Sequence, residues 1–237
     1  MIHGAVVFAH RPRARVLGID TVAVESMPGV IAVLIADDVP FNAFGLIDHD
    51  QPVLVSIGDE VRFTGDKVAL VLAETPDIAV AGARALLVRY EDLPPVLDPE
   101  LAMLPGASLV HAGHESNVLI HVPIRKGSVE KAFAEADVVL DGAFTTTWQE
   151  HAYLQPEAGT AWVDDAGRLV VETAGQWLHE DRRQIAAMLE LDESSVIVRY
   201  NAIGGAFGGR EDLSIQHLLG LAAWTLRERF PQRKVAL

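Results

Sequence analysis

The chain has 237 residues, half of them apolar, with a mean hydropathy of +0.22, which is too long and too apolar for a disordered tail. Nineteen basic against 33 acidic residues give a net charge of −14 and a pI near 5.0, excluding the concentrated basic surface that nucleic acid requires. Cysteine is absent, so disulfides, thiolate zinc sites, iron–sulfur ligation and cysteine nucleophiles are excluded as well.

The start, MIHGAVVFAHRPR, has a short apolar stretch and no basic segment before it, so no secretory signal is expected. Together with the missing cysteines this favours the cytoplasm. Ala5–Ala9, Val30–Ile35 and Val68–Ala73 have the length and composition of buried strands. Between the first two, residues Thr21–Met27 suit a short helix ended by Pro28 and Gly29. Thr75 can cap a second helix, with Pro76 in its first turn and IAVAGARALL following. Val88–Tyr90 then reads as a strand returning to the sheet. Nothing in this segment carries chemistry of its own.

Pro94, Pro95, Pro99 and Pro105 with Gly106 break any periodicity between residues 93 and 110, which reads as a connector. The expected domains are therefore 1–92 and 111–237, at a length that allows one large domain or two small ones. In the second, Ser128 can cap a helix through Ala136, and Val138–Thr147 reads as a strand. Thr160–Val163 and Leu169–Glu172 flank DDAG as a hairpin, and Glu180–Leu191 carries an apolar helix face. Val196–Tyr200 is a strand running into a glycine-rich loop. Leu213–Leu226 beyond it is apolar on nearly every side, so that helix is expected to be buried; its apolar run of about nine residues is too short to span a membrane. The fold class is α+β.

Two stretches can carry chemistry. Gly204–Glu211 reads GGAFGGRE, with four glycines in six residues between a strand and a helix. Glycine permits positive φ and close backbone approach, and free N–H groups there suit oxo or phosphate groups. A tight packing turn is the alternative reading. The P-loop needs Lys then Ser or Thr where Arg210 and Glu211 stand, and the dinucleotide spacing G-x-G-x-x-G is not met. Glu211 would repel bound phosphate, so it reads as a substrate contact or a helix cap. The other stretch, Trp148–Glu157, packs Gln149, Glu150, His151, Tyr153, Gln155 and Glu157 together, as a site wall or an exposed strand end. HAGHE (111–115) lies on a glycine-interrupted loop in neither zincin order, and no G-x-S-x-G elbow exists, so neither a zinc site nor a serine hydrolase is supported.

QEHAYLQPE (149–157) followed by GGAFGGRED (204–212) resembles the molybdenum-binding large subunit of the xanthine dehydrogenase and aldehyde oxidase family. AHRPRARVLGIDTVAVESMPGVIAVLIADDVP and VRFTGDKVALVLAET resemble that family's α/β hammerhead domain. HESNVLIHVPIRKGSVEKAFAEADVVLDGAF resembles the lead into its first molybdopterin-binding domain. The resemblance implies an α/β hammerhead over 1–92 and an incomplete mixed α/β molybdopterin-binding domain over 111–237. It implies a molybdenum hydroxylase, which inserts water-derived oxygen at a carbon of a purine, another N-heteroaromatic or an aldehyde. The cofactor would be molybdopterin or its cytosine dinucleotide form, with iron–sulfur and FAD groups on partner chains only.

By position, Gln149 matches the family glutamine beside the molybdenum, and Phe207 the phenylalanine whose backbone lies at the metal. Gly204, Gly205, Ala206, Phe207, Gly208 and Gly209 would form the cofactor loop, with no direct protein ligand to the metal. Glu211 matches a carboxylate that holds substrate in purine-oxidising members. Ala206 departs from a common third glycine, and Arg210 from a common lysine. Family members have a segment before the hammerhead and continue far beyond the match to Val235, where their substrate arginine and glutamate base reside. The expected partners are therefore the remaining molybdenum-domain polypeptide, iron–sulfur and flavin subunits, and a small-molecule substrate. No nucleic acid and no membrane span are expected, and homo-oligomerisation stays open. The alternatives are a catalytically inactive fragment, a structural half-subunit that needs a partner, or a cofactor-binding module without catalysis.

Overall fold

The computed structural model describes all 237 residues. In chain order the elements are strand β1 (Ile2–Phe8), β2 (Ala14–Asp20), helix α1 (Val22–Glu25), β3 (Val30–Leu34), β4 (Glu60–Val61), β5 (Lys67–Ala73), α2 (Pro76–Ala85) and β6 (Leu87–Asp92). There follow α3 (Pro99–Ala102), α4 (Val129–Glu135), β7 (Thr160–Val163), β8 (Leu169–Thr173), α5 (Leu178–Met188), β9 (Val196–Tyr200), α6 (Gln216–Leu226) and β10 (Val235–Ala236). Sheets and helices mix as expected of the α+β class. No helix is long and apolar enough to cross a membrane.

By packing, the chain divides into two compact units. The larger unit joins Met1–Val96 to His151–Leu237, and the smaller is Leu97–Glu150. The join is β10: Val235 pairs in parallel with Ile2 of β1 and antiparallel with Ala161 of β7. A seven-stranded sheet of order β3-β5-β1-β10-β7-β8-β9 results, with strands from both sides of the proline-rich stretch. Ile2, Leu70, Leu169, Ile185, Leu218 and Leu221 are all fully buried in one core against it. A two-residue strand has no periodicity to detect, so the sequence offered no sign of this splice.

The capping expectations hold. Thr75 accepts a hydrogen bond from the Ile78 amide at 3.3 Å, and Ser128 from that of Lys131 at 3.3 Å. β7 and β8 pair as the expected hairpin, Thr160 opposite Glu172 through Val163 opposite Leu169. β8 and β9 are parallel, and parallel neighbours need a crossover, which α5 supplies.

Two expectations need correction. β6 does not return to the main sheet; it pairs antiparallel with β2 in a three-stranded sheet of order β4-β2-β6. The polar residues Arg15 and Asp20 and Gly18 interrupt β2's apolar signal, although Ala14 and Val16 alternate into the interior. Residues 138–147 form no strand. They lie in the smaller unit with Val138, Leu140 and Phe144 74%, 91% and 96% exposed. Alternation prepares a segment to pair, but a strand exists only when a neighbour accepts its backbone hydrogen bonds. Within the smaller unit, Asn117 is the main tie, donating to Ala102 and Ser108 carbonyls and accepting from the Val110 amide.

Candidate functional site

The larger unit sets an irregular segment, 151–157, against the glycine loop that connects β9 to α6. Along the segment Tyr153, Gln155 and Glu157 turn inward, while His151, Leu154 and Pro156 face out. Gln155 clamps the start of the loop: its Oε1 accepts the Gly204 amide at 2.6 Å, and its own amide donates to the Gly204 carbonyl at 3.4 Å. A Cβ at Gly209 would fall 2.8 Å from the Tyr153 ring and 3.0 Å from that of His151, so only glycine lets the loop lie this close.

Between these ends the backbone is unusual. Gly205 and Gly208 adopt φ of +99° and +89°, and Phe207, a residue with a Cβ, adopts +54°. A left-handed non-glycine residue costs about 1–2 kcal/mol, so the surrounding contacts must hold it there. The Phe207 ring is 76% exposed and contributes little to the core. The amides of Gly204 and Gly209 are satisfied inside the protein, the latter by the Ala206 carbonyl at 2.9 Å. Those of Gly205, Ala206, Phe207 and Gly208 have no protein acceptor. Free backbone N–H groups of this kind are available donors for anionic or oxo groups.

Arg210 fixes the far end of the loop. Its side chain is 1% exposed, donates from Nη2 to the Gln155 carbonyl at 2.7 Å, and lies 4.2 Å over the Tyr153 ring. Nε sits 3.1 Å from Glu157 Oε1 without hydrogen-bond alignment, so the attraction there is coulombic, and Nη1 has no protein partner. The Arg210 backbone exchanges hydrogen bonds with Gln176, whose Oε1 accepts at 3.1 Å and whose amide donates at 3.0 Å. Glu157 accepts from Tyr153 OH and Ser214 Oγ, both at 2.7 Å. That first bond is the main cause of the raised Tyr153 pKa, because the phenol proton is shared with a carboxylate.

Two buried titratable groups stand on helices α5 and α6. Asp181 of α5 is fully buried, which pushes its carboxyl up to about 6. His217 of α6 stacks on Phe44 at 4.7 Å with no hydrogen-bond partner on either ring nitrogen. Burial, and then the Lys67 charge, hold its pKa well below the usual value.

The larger unit thus brings together Gly204, Gly205, Ala206, Phe207, Gly208, Gly209 and Glu211 with the inward side of 151–157. Glu211 is exposed, and its Oε1 comes within 4.0 Å of where a Gly208 Cβ would stand. Gln149 belongs to the smaller unit, where it is exposed in an irregular segment and donates only to the adjacent Glu150 carbonyl, at 3.4 Å. The sequence reading missed three supports: the burial of Arg210, the Gln176 brace and the Asp181 cluster. Alternate polar residues at 153, 155 and 157 ahead of an arginine-ended glycine loop were the available signal for the first.

Residues 1–94 match the family described as aldehyde oxidase and xanthine dehydrogenase, a/b hammerhead domain, and residues 110–230 match the molybdopterin cofactor-binding domain. Among curated proteins, a probable xanthine dehydrogenase subunit of Bacillus subtilis (strain 168) is 34% identical over 94% of this chain and 30% of its own length. The nicotinate dehydrogenase large molybdopterin subunit of Eubacterium barkeri is 34% identical over 91% of this chain and 50% of its own length. The solved aldehyde oxidoreductase of Desulfovibrio gigas superposes on all of this chain and 26% of its own, at a TM-score of 0.91 and 29% identity. The chain therefore spans half or less of the length of these relatives.

Proposed function

Since the chain belongs to the aldehyde oxidase and xanthine dehydrogenase family and carries its molybdopterin cofactor-binding domain, we propose that it is the part of a molybdenum hydroxylase that grips the cofactor through Gly204–Gly209. The observation that carries this reading is the run of four unpartnered amides, Gly205 to Gly208, held open by the buried Arg210. The donor set fits the group. Backbone N–H groups suit oxo and pterin acceptors. When bound, the cofactor supplies transfer of a water-derived oxygen to a substrate carbon, with electrons leaving to iron–sulfur and flavin groups on partner chains.

The residues of this chain then have distinct tasks. Phe207 would help hold the cofactor through its backbone, not its ring. The exposed carboxylate of Glu211 contacts substrate, which favours a nitrogen heterocycle such as a purine over an aldehyde. Gln149 is assigned beside the molybdenum from its place in the QEHAYLQPE motif. We assign residues 1–92 to the hammerhead, 93–110 to the connector and 111–237 to the first part of the molybdopterin domain. Purine, other heteroaromatic and aldehyde substrates, the choice between molybdopterin and its cytosine dinucleotide form, and a cytoplasmic assembly all belong to this proposal.

One observation favours a second reading, that the chain is a structural half-subunit inert until a partner polypeptide completes it. Leu140, Phe144 and Trp148 of the smaller unit are 91%, 96% and 99% exposed, and a surface this apolar is ordinarily covered. Molybdenum content and turnover of the chain purified with its natural partners test both. Near-stoichiometric metal, with turnover falling in Gln149→Ala and Glu211→Ala, supports the hydroxylase. Absent metal, or unchanged rates in both variants, defeats it.

A further inference from the structure

Asp181 stands in the first turn of α5, fully buried, where it receives Tyr200 OH from β9 at 2.6 Å and Gln216 Nε2 from α6 at 3.2 Å, both on Oδ2. Oδ1 is also buried and has no partner. A buried carboxylate with one oxygen unsatisfied costs more than an apolar side chain of the same size would, so a contribution to stability does not explain it. Its neighbours suggest a task. Gln216 points its NH2 at Asp181 and, more distantly, at the Ala174 carbonyl at 3.5 Å, which keeps its Oε1 turned toward the loop, where it takes the amides of Ser214 at 2.7 Å and Ile215 at 2.9 Å. Ser214 Oγ has one proton and two acceptors, Glu157 Oε2 at 2.7 Å and Gln216 Oε1 at 3.1 Å; the shorter, charged one takes it. Glu157 in turn faces Arg210 and receives Tyr153. An unbroken polar chain therefore runs from α5 to the residue that closes the glycine loop.

We propose that Asp181 is a positioning residue for the glycine loop: its carboxylate fixes which way the Gln216 amide faces and, through Ser214 and Glu157, the seat of Arg210. The functional weight of this coupling rests on the cofactor reading of the loop, while the coupling itself does not. The groups that face Asp181 are Tyr200 from β9, Gln216 from α6, Glu180 beside it on α5, and Asp212 at the loop's end. Both acids add to the burial that pushes the carboxyl up to about 6, so the coupling changes strength within the ordinary pH range. The ionised form is the stronger acceptor for Gln216 and grips the loop; protonation slackens it.

Amide hydrogen exchange of the full chain between pH 5 and 7.5, corrected for intrinsic rates, tests this without any cofactor. In the wild type, protection of Ser214, Ile215 and Arg210 should fall about tenfold as the pH drops through 6, the scale of one charge-assisted hydrogen bond. Amides of the β7–β8 hairpin should keep theirs. Asp181→Asn, which mimics the protonated acid, should hold the loop amides at the low level with no pH dependence. The proposal is overturned if loop protection is unchanged across that range, or if loop and hairpin amides fall together, as they would for a residue that merely stabilises the fold. Because the readout is the polypeptide, a chain found without molybdenum would sink the cofactor reading and leave the exchange result to decide this one.

Discussion

Arg210→Ala should be the most damaging single change near the loop. It removes a side chain that is 1% exposed, leaves Glu157 without its counter-charge at 3.1 Å, frees the Gln155 carbonyl that was bonded at 2.7 Å, and uncovers the Tyr153 ring. Breaking a buried pair by removing one partner costs about 3–5 kcal/mol. Two observations place this case at the lower end. Glu157 keeps 26% exposure, so water can solvate the orphaned carboxylate, and Arg210 itself carries an unsatisfied Nη1 whose burial penalty disappears with it. A loss of about 3 kcal/mol is expected, a large share of the ~5–15 kcal/mol that holds a domain together. Arg210→Lys keeps the charge toward Glu157 but gives up the fork that also reaches the backbone carbonyls, and should lose about 1–2 kcal/mol. Urea unfolding at neutral pH, followed by tryptophan fluorescence, measures both. If Ala costs under about 1 kcal/mol, or if Lys and Ala cost the same, the assignment of Arg210 as the charged clasp of the loop is wrong.

Two further outcomes separate sterics from backbone freedom and fix the sign of a pH effect. Gly209→Ala must displace Tyr153 or His151 and should cost about 1–3 kcal/mol, whereas Gly208→Ala meets nothing closer than 3.8 Å and pays only for its φ of +89°, about 1 kcal/mol. Equal thermal shifts for the two would contradict that difference. His217 is neutral in the folded chain, and its pKa there lies below the unfolded value of about 6.5. Below that pH the unfolded chain binds a proton that the folded chain refuses, so stability is lost as the pH falls. His217→Leu removes that loss along with two unsatisfied nitrogens, so its stability margin over the wild type should be larger at pH 5 than at pH 7.5; an equal margin at the two pH values would refute the reasoning.

The local elements were legible because each is set by a few adjacent residues. Thr75 with Pro76, Ser128, and the DDAG loop after Val163 act over three or four positions, and the structure uses each in that way. What escaped is long-range. Val235 lies 233 residues from Ile2, and nothing in VA announces that these two residues will splice the ends of the chain into one sheet. The opposite error has the same origin. Val138–Thr147 has a strand's alternation, yet it remains irregular because strand formation needs a hydrogen-bonding neighbour, which is a property of the assembled fold and not of the segment.

The site divides along the same line. Glycines at 204, 205, 208 and 209 declare a close-approach loop, since that composition has few other uses, and the positive φ at 205 and 208 agrees with it. The geometry that makes the loop a donor surface is written elsewhere: in Gln155, whose side chain takes the first amide; in Gln176, which braces the last residue; and in Arg210, which a sequence presents only as one more surface charge. A loop whose middle amides are free can stay ordered only if its ends are over-determined. The polar atoms that over-determine it come from 155, 157, 176, 181 and 216, five positions on four separate stretches of chain. The glycines mark where a ligand could approach, and these scattered side chains decide whether the loop is already in shape when it does.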